Sequence, residues 1–256
     1  MFLAVDTGNT QTVMGLYEGE TIAARWRIST VASETADEIA VRLKALFDLD
    51  GRALSSVTDM AISSVVPPLT EQWRTAASRI TKTTPLILDS QVDTGLSIDF
   101  AVPSEIGADR IADAVAAIAL YGAPVIVVDF GTATNIEVVD KSGAFVGGII
   151  APGIVTSAEA LFSAAARLAK FSVEIPPQVI GKSTKEAVQS GLTFGEIDRI
   201  DGLIKRVFEQ LGYRATVIAT GGLSTRVAQL SQTIDVINDD LTLEGLRLIY
   251  QRTLNS

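Results

Sequence analysis

Residues 3–10 read L-A-V-D-T-G-N-T, and residues 126–134 read I-V-V-D-F-G-T-A-T. Each is an apolar strand that ends in an aspartate, then one residue, a glycine, and small hydroxylated or amide residues. Each runs on into a segment that reads as a β-hairpin, Thr12–Ile28 in the first case and Ile136–Ile150 in the second. Asp6 and Asp129 stand 123 residues apart, close to half of the 256-residue chain. A strand–hairpin unit repeated at that distance predicts two similar halves, 1–120 and 121–256.

The residue types at these turns suit one kind of ligand. A tight glycine turn exposes backbone N–H groups, and threonine hydroxyls add donors, so together they can cradle phosphate oxygens. The aspartate repels phosphate and is suited instead to a cation or its bound water. Both turns lead into strands, which excludes a P-loop or a Rossmann turn, since those open helices. The one Walker-like string, Gly181-Lys182-Ser183, has Pro176 where the upstream glycine belongs. A third segment, Thr216–Gly222, is a strand that runs into a glycine pair before a helix. There a backbone can approach a nucleoside closely.

Outward from these segments, strands alternate with helices, the signature of an α/β protein. Helices are expected over Thr35–Phe47, Leu69–Ile80, Ala108–Leu120, Thr156–Leu168, Thr184–Leu211, Ser224–Leu230 and Leu241–Leu254, with Gly191 and Gly195 as candidate breaks in the long one. Val125–Val128 is apolar throughout, as a central strand should be.

The totals bound the chemistry. There is no Cys and no His, which excludes disulfides, thiolate metal sites, Ser-His-Asp triads and histidine bases. A net charge of −9 without a basic stripe argues against nucleic acid and anionic membranes as partners. The longest apolar window, Phe145–Val155, is short and holds three glycines and a proline, so no bilayer span is expected. Asp6 interrupts the first apolar run, and no basic region precedes it. The expectation is a cytoplasmic protein without a secretory signal.

The full set of motifs resembles the type III pantothenate kinases, members of the acetate kinase, sugar kinase, Hsp70 and actin superfamily. The set is D-x-G-N-T from residue 6, G-A-D-R at 107–110, D-F-G-T-A-T at 129–134, G-G-x-I-x-P-G at 147–153, G-K-S-T at 181–184, T-G-G-L at 220–223 and L-T-L-E-G-L at 241–246. The resemblance implies an actin-like ATPase fold, two duplicated ribonuclease H-like halves each with a mixed five-stranded sheet. It also implies ATP-dependent phosphorylation of pantothenate to 4'-phosphopantothenate, the first step of coenzyme A biosynthesis, by a homodimer.

The same resemblance implies roles residue by residue. Asp6, Thr7, Gly8, Asn9, Thr10, Gln11, Thr12 and Val13 would form the first ATP segment, with Asp6 near Mg²⁺. Thr132, Gly221 and Gly222 would also contact ATP. Asp129 would hold a monovalent cation, K⁺ or NH₄⁺. Phe100, Gly107, Ala108, Asp109, Arg110 and Thr184 would line the pantothenate site, and Asp109 would be the general base. The helix dipole at the first turn of Ala108–Leu120 favours an ionised carboxylate, so the expectation is an Asp109 pKa that is not raised. Arg110 reads equally as a substrate contact and as a solvated surface residue.

Two departures from the family pattern stand out. Asn135-Ile136-Glu137 replaces the usual Thr-Phe-Asp, and Leu168-Ala169-Lys170 lacks the usual proline on the dimer side. Two other readings compete with the kinase. One is a regulatory homologue that has lost catalysis, which would be expected to have eroded Asp6, Asp109 or Asp129. The other is a different small-molecule kinase of the superfamily. The apolar positions Val188, Leu192, Ile197, Ile200, Leu203 and Ile204 of the long helix read as surface for a partner subunit or as core.

Overall fold

The computed structural model describes residues 1–165 and 170–255. The chain forms two compact units, Met1–Ala116 with Leu241–Ser256, and Ala117–Asp240. The division falls inside one helix, and the closing helix belongs to the first unit.

In the first unit β1 (Phe2–Thr7), β2 (Gln11–Glu18) and β3 (Thr21–Ser29) form an antiparallel meander. Helix α1 (Ala36–Leu49) follows, then β4 (Asp59–Ser64), helix α2 (Pro67–Thr81) and β5 (Leu86–Ile87). A short strand β6 (Ser97–Ile98) precedes helix α3 (Ala108–Tyr121). β4 and β5 add in parallel to β1, giving the order β3-β2-β1-β4-β5. Thr35 caps α1 in a capping box with Glu38, which closes two orphan backbone donors. Leu3, Val5, Met14, Leu16, Met60 and Ile62 on one sheet face pack with Ile39, Leu43 and Phe47 of α1 and Leu69 and Trp73 of α2.

The second unit repeats this plan. β7 (Val125–Phe130), β8 (Ala133–Val139) and β9 (Ala144–Pro152) make the meander. After helices α4 (Ile154–Ala164) and α5 (Thr184–Leu211), β10 (Thr216–Thr220) joins β7 in parallel. The short helix α6 (Ser224–Val227) and β11 (Val236–Ile237) follow, and β11 is parallel to β10. Within this unit the strands run β9-β8-β7-β10-β11, the order of the five strands of the first sheet. The duplication read from the two Asp–Gly segments is therefore a duplication of topology.

Several expected details change. Helix α5 runs unbroken for 28 residues through Gly191 and Gly195. Each glycine costs a helix about 1 kcal/mol, and the packed side of α5 outweighs that. Ile197, Ile200 and Ile204 are buried in the second core, with Leu192 and Leu203 packed against it. Five of the six apolar positions named for α5 are thus covered by their own unit and do not ask for a partner; Val188 is half-buried outside that cluster. Helix α4 is described to Ala164, and the Leu168-Ala169 part of the expected dimer-side departure lies outside the described residues.

Helix α7 (Leu241–Leu254) accounts for L-T-L-E-G-L as packing. Thr242 donates to Asp113 of α3 at 2.6 Å. Leu243 lies 3.0 Å from the place a β-carbon on Gly15 would take. A β-carbon on Gly245 would stand 2.0 Å from the Ala112 carbonyl oxygen. Only glycine lets α7 approach α3 so closely, and α3 carries Asp109 in its first turn.

Candidate active site

In the first unit, Asp6 and Thr7 end β1 in register with Val13 and Thr12 of β2. The turn between them closes through the Gly8 N–H, which donates to the Gln11 carbonyl at 3.0 Å. Asn9 and Thr10 are exposed at its tip. Thr30 braces the turn: its hydroxyl donates to the Gly8 carbonyl at 2.8 Å, and its N–H donates to the Thr10 carbonyl at 3.0 Å. The motif reading missed Thr30, because it comes from the far end of the hairpin.

Parallel pairing sets Ser63 of β4 beside Asp6. The Thr7 and Ser63 hydroxyls are wholly buried and have no hydrogen-bond partner among the described residues. A buried hydroxyl left unmade costs about 1–3 kcal/mol. Ser63, on the sheet face of Asp6, fits a segment that completes its hydrogen bonds with a ligand, whereas Thr7 continues the opposite, core face of Leu3 and Val5. The sequence signal for Ser63 was present: β4 is a second apolar strand that ends in small hydroxylated residues.

Asp109 sits in the first turn of α3, and its carboxylate accepts from the Arg110 backbone N–H at 2.8 Å. A β-carbon on Gly107 would lie 2.4 Å from Asp109 Oδ1, so the glycine makes room for this carboxylate. The expected unshifted pKa is corrected. Burial pushes Asp109 above the ordinary carboxylate range and outweighs the Arg110 backbone hydrogen bond and the Arg110 charge, which both act to lower it. Arg110 is itself buried rather than a solvated surface residue. Phe100 is half-buried in the segment between β6 and α3.

In the second unit, Asp129 at the end of β7 pairs in register with Thr220 of β10. Gly221 follows at φ +91°, and a β-carbon there would fall 2.1 Å from Asp129 Oδ1 and 2.7 Å from the Phe130 nitrogen. Gly153, which caps α4, has the same tightness: its β-carbon would meet the Gly131 carbonyl oxygen at 2.4 Å. The Gly153 N–H and the Thr156 hydroxyl both donate to the Thr132 carbonyl, at 3.1 and 2.6 Å. The Leu223 N–H reaches the Phe130 carbonyl at 3.4 Å. The segments of Asp129, Thr132 and Gly221 therefore converge, with bare backbone where side chains would otherwise fill the space; Gly222 beside them is exposed.

Thr184 does not join this cluster. It is exposed at the start of α5, and Glu196, which touches the Thr132–Thr134 segment, lies 12 residues further on, about 18 Å along the helix. Among the described residues no group of three His, Cys, Asp or Glu side chains could hold a metal by itself. A cation at Asp6 or Asp129 would take most of its ligands from phosphate and water. Asn135 pairs with Asp129 across β7 and β8, and Glu137 is wholly buried.

Known proteins resemble this chain in sequence and in fold. A family model described as Type III pantothenate kinase matches residues 2–206. A type III pantothenate kinase of Thermomicrobium roseum is 46% identical over 98% of this chain and 97% of its own length. One from Halalkalibacterium halodurans is 43% identical over 99% of this chain and 100% of its own. Among solved structures, MreB 5 of Spiroplasma citri bound to AMPPNP matches with a TM-score of 0.56 at 10% identity, over 99% of this chain and 96% of that one. A ROK hexokinase of Thermus thermophilus matches with a TM-score of 0.52 at 11% identity, over 100% and 99%. These two likenesses, at such low identity, concern the fold alone. The chain belongs to the type III pantothenate kinase family.

Proposed function

We propose that this kinase phosphorylates pantothenate with ATP by using Asp109 as the general base, the Asp6–Val13 turn and the Gly131–Thr132 loop as phosphate cradles, and Gly221-Gly222 as the nucleoside contact. The pantothenate hydroxyl oxygen attacks the γ-phosphorus, the bond to the β-phosphate oxygen breaks, and ADP leaves. Asp109 takes the hydroxyl proton. Its raised pKa makes it a better base than an exposed carboxylate. Phosphoryl transfer has a loose transition state, so positioning of the hydroxyl is the larger requirement. Phe100, Gly107, Ala108, Arg110 and Thr184 are proposed to contact pantothenate. The observation that carries the reading is the half-buried, partly desolvated carboxylate of Asp109 in the first turn of α3 in a chain of this family. Its test is the Asp109→Asn variant taken up in the Discussion.

Mg²⁺ travelling with ATP would supply charge neutralisation at the phosphates. Asp6 would face its hydration shell, and the Ser63 hydroxyl on the same sheet face fits that role. The segments Asp6–Thr12, Asp129–Asn135 and Thr220–Ser224 contain no Lys or Arg, and backbone donors carry only partial charge. We therefore assign Asp129 to a monovalent cation beside the nucleotide. Activity should fall sharply when K⁺ or NH₄⁺ is replaced by a bulky organic cation at constant ionic strength. Asp129→Ala should weaken ATP use and remove that dependence. A rate that is flat against K⁺ at fixed Mg²⁺, in protein stripped of bound cation, would reject the site in favour of an Asp129 that only orders its turn.

A homodimer is proposed from family membership and from exposed apolar residues of the second unit. Ile150 of β9, Val155 of α4, and Val179 and Ile180 ahead of α5 are all exposed. Sedimentation at micromolar concentration should show twice the chain mass; monomer alone would remove this reading. Among the described residues no helix is long and apolar enough to cross a membrane.

A further inference from the structure

Helix α5 carries a glutamate where a core residue is expected. Glu196 is 5% exposed, one position before the buried Ile197. Its two carboxylate oxygens have different partners. Oε1 accepts from the Thr134 hydroxyl at 2.6 Å. Oε2 accepts from Arg199 Nη2, and the same nitrogen donates its second proton to the Pro152 carbonyl at 2.9 Å.

Thr134 and Pro152 stand on the two strands of one hairpin. Ala133 pairs with Pro152 and Thr134 with Ala151, so this is the open end of β8 and β9. The residues just beyond it are Thr132 on one strand and Gly153 on the other, and they are hydrogen-bonded to each other. Glu196 thus grips one strand directly and the other through Arg199, at the place where the Gly131–Thr132 loop leaves the sheet. A buried charge is costly to keep, and an apolar residue would often hold a helix on a sheet as well. What an apolar residue cannot do is fix both strands by directional bonds.

We propose that Glu196, with Thr134 and Arg199, is a positioning residue for nucleotide: it sets the spacing of the Gly131–Thr132 loop from Gly153 and so the geometry of the phosphate cradle. The inference rests on the assignment of that loop to phosphate. Its effect falls on ATP, because Glu196 and Arg199 bond to the two strands that carry the Gly131–Thr132 loop, while Thr184, the α5 residue assigned to pantothenate, lies 12 residues away from Glu196 along the helix.

The test uses Thr134, where a nearly isosteric change removes only the hydroxyl. Nucleotide affinity is measured by titration calorimetry with an unhydrolysable ATP analogue and Mg²⁺, well below the melting temperature, beside KM for ATP and for pantothenate. Thr134→Val should weaken nucleotide binding about tenfold or more, as expected for a lost hydrogen bond to a buried carboxylate, with KM for pantothenate unchanged within about twofold. Thr134→Ser keeps the hydroxyl and should restore affinity to within about threefold of wild type. Glu196→Gln should weaken binding less than Thr134→Val, because an amide can bridge the same two partners without charge. The double variant should be no weaker than Thr134→Val alone.

A purely structural link predicts another pattern: a lower melting temperature in Thr134→Val with nucleotide affinity unmoved. That result overturns the inference. Thr132→Gly separates the two levels of the argument. If it weakens nucleotide binding while Thr134→Val does not, the positioning role fails alone. If neither variant changes binding, the assignment of the loop to phosphate fails with it.

Discussion

Asp109→Asn is expected to lower kcat by about 10²–10⁴-fold, the usual share of a positioned general base, while the protein stays at least as stable as the wild type. Asn keeps the shape and can still accept the Arg110 N–H in the first turn of α3. The sign of the stability effect follows from the pKa. Burial raises the folded-state value above that of the unfolded chain. The stability tied to this group is therefore fully present below the unfolded pKa and is lost as the pH rises through the folded one. At neutral pH the ionised carboxylate is a burden on the fold, and the amide removes it. Thermal unfolding at pH 7 should show an unchanged or higher Tm for the variant, and the difference should shrink in acid. In the wild type the acid limb of kcat/KM should lie above the ordinary carboxylate range. Near-normal kcat in the variant would sink the base assignment, and an acid limb at the ordinary value would sink the raised pKa.

The sequence predicted the opposite pKa behaviour, and the reason is physical. The helix dipole and the first-turn position of Asp109 are local, and local terms can be read from neighbours in the chain. Burial is set by what packs over α3, including α7, which stands more than a hundred residues away. The burial of Arg110 and the desolvation of Asp109 are likewise not written in the local sequence. The same division holds elsewhere. The duplicated Asp–Gly segments were legible because strand, turn and hairpin follow one another in sequence. Thr30, Ser63 and Glu196 were not singled out, because each reaches the phosphate segments from a different element. The apolar positions of α5 could not be divided between core and partner from periodicity alone. Both assignments need one hydrophobic face, and only the observed packing of Ile197, Ile200 and Ile204 decides between them.

Gly221→Ala is expected to be the most damaging single-methyl change in the second unit. Two effects add. At φ +91° an L-residue is strained, which costs about 1–2 kcal/mol. The new methyl would also fall 2.1 Å from Asp129 Oδ1 and within 2.8 Å of the Phe130 backbone. A side chain can rotate away, but Phe130 lies in β7, a central strand paired on both sides, and its backbone cannot yield without breaking the ladder. A total loss of about 3 kcal/mol or more is expected, in the range reserved for overpacking at a fixed backbone. That corresponds to a fall in Tm of about 6–12 °C. Nucleotide affinity should drop by about a hundredfold or more, because the change displaces Asp129 and the Gly221-Gly222 backbone together. Gly143→Ala is the control. It has φ +81° in the β8–β9 turn with nothing within 4 Å of the added carbon, so it carries the strain without the collision. Its stability should fall by about 1 kcal/mol, with ATP binding unchanged. Calorimetric titration of both variants decides the matter. Equal nucleotide affinities would mean that the close approach of Gly221 to Asp129 serves only the fold and that the nucleoside contact lies elsewhere.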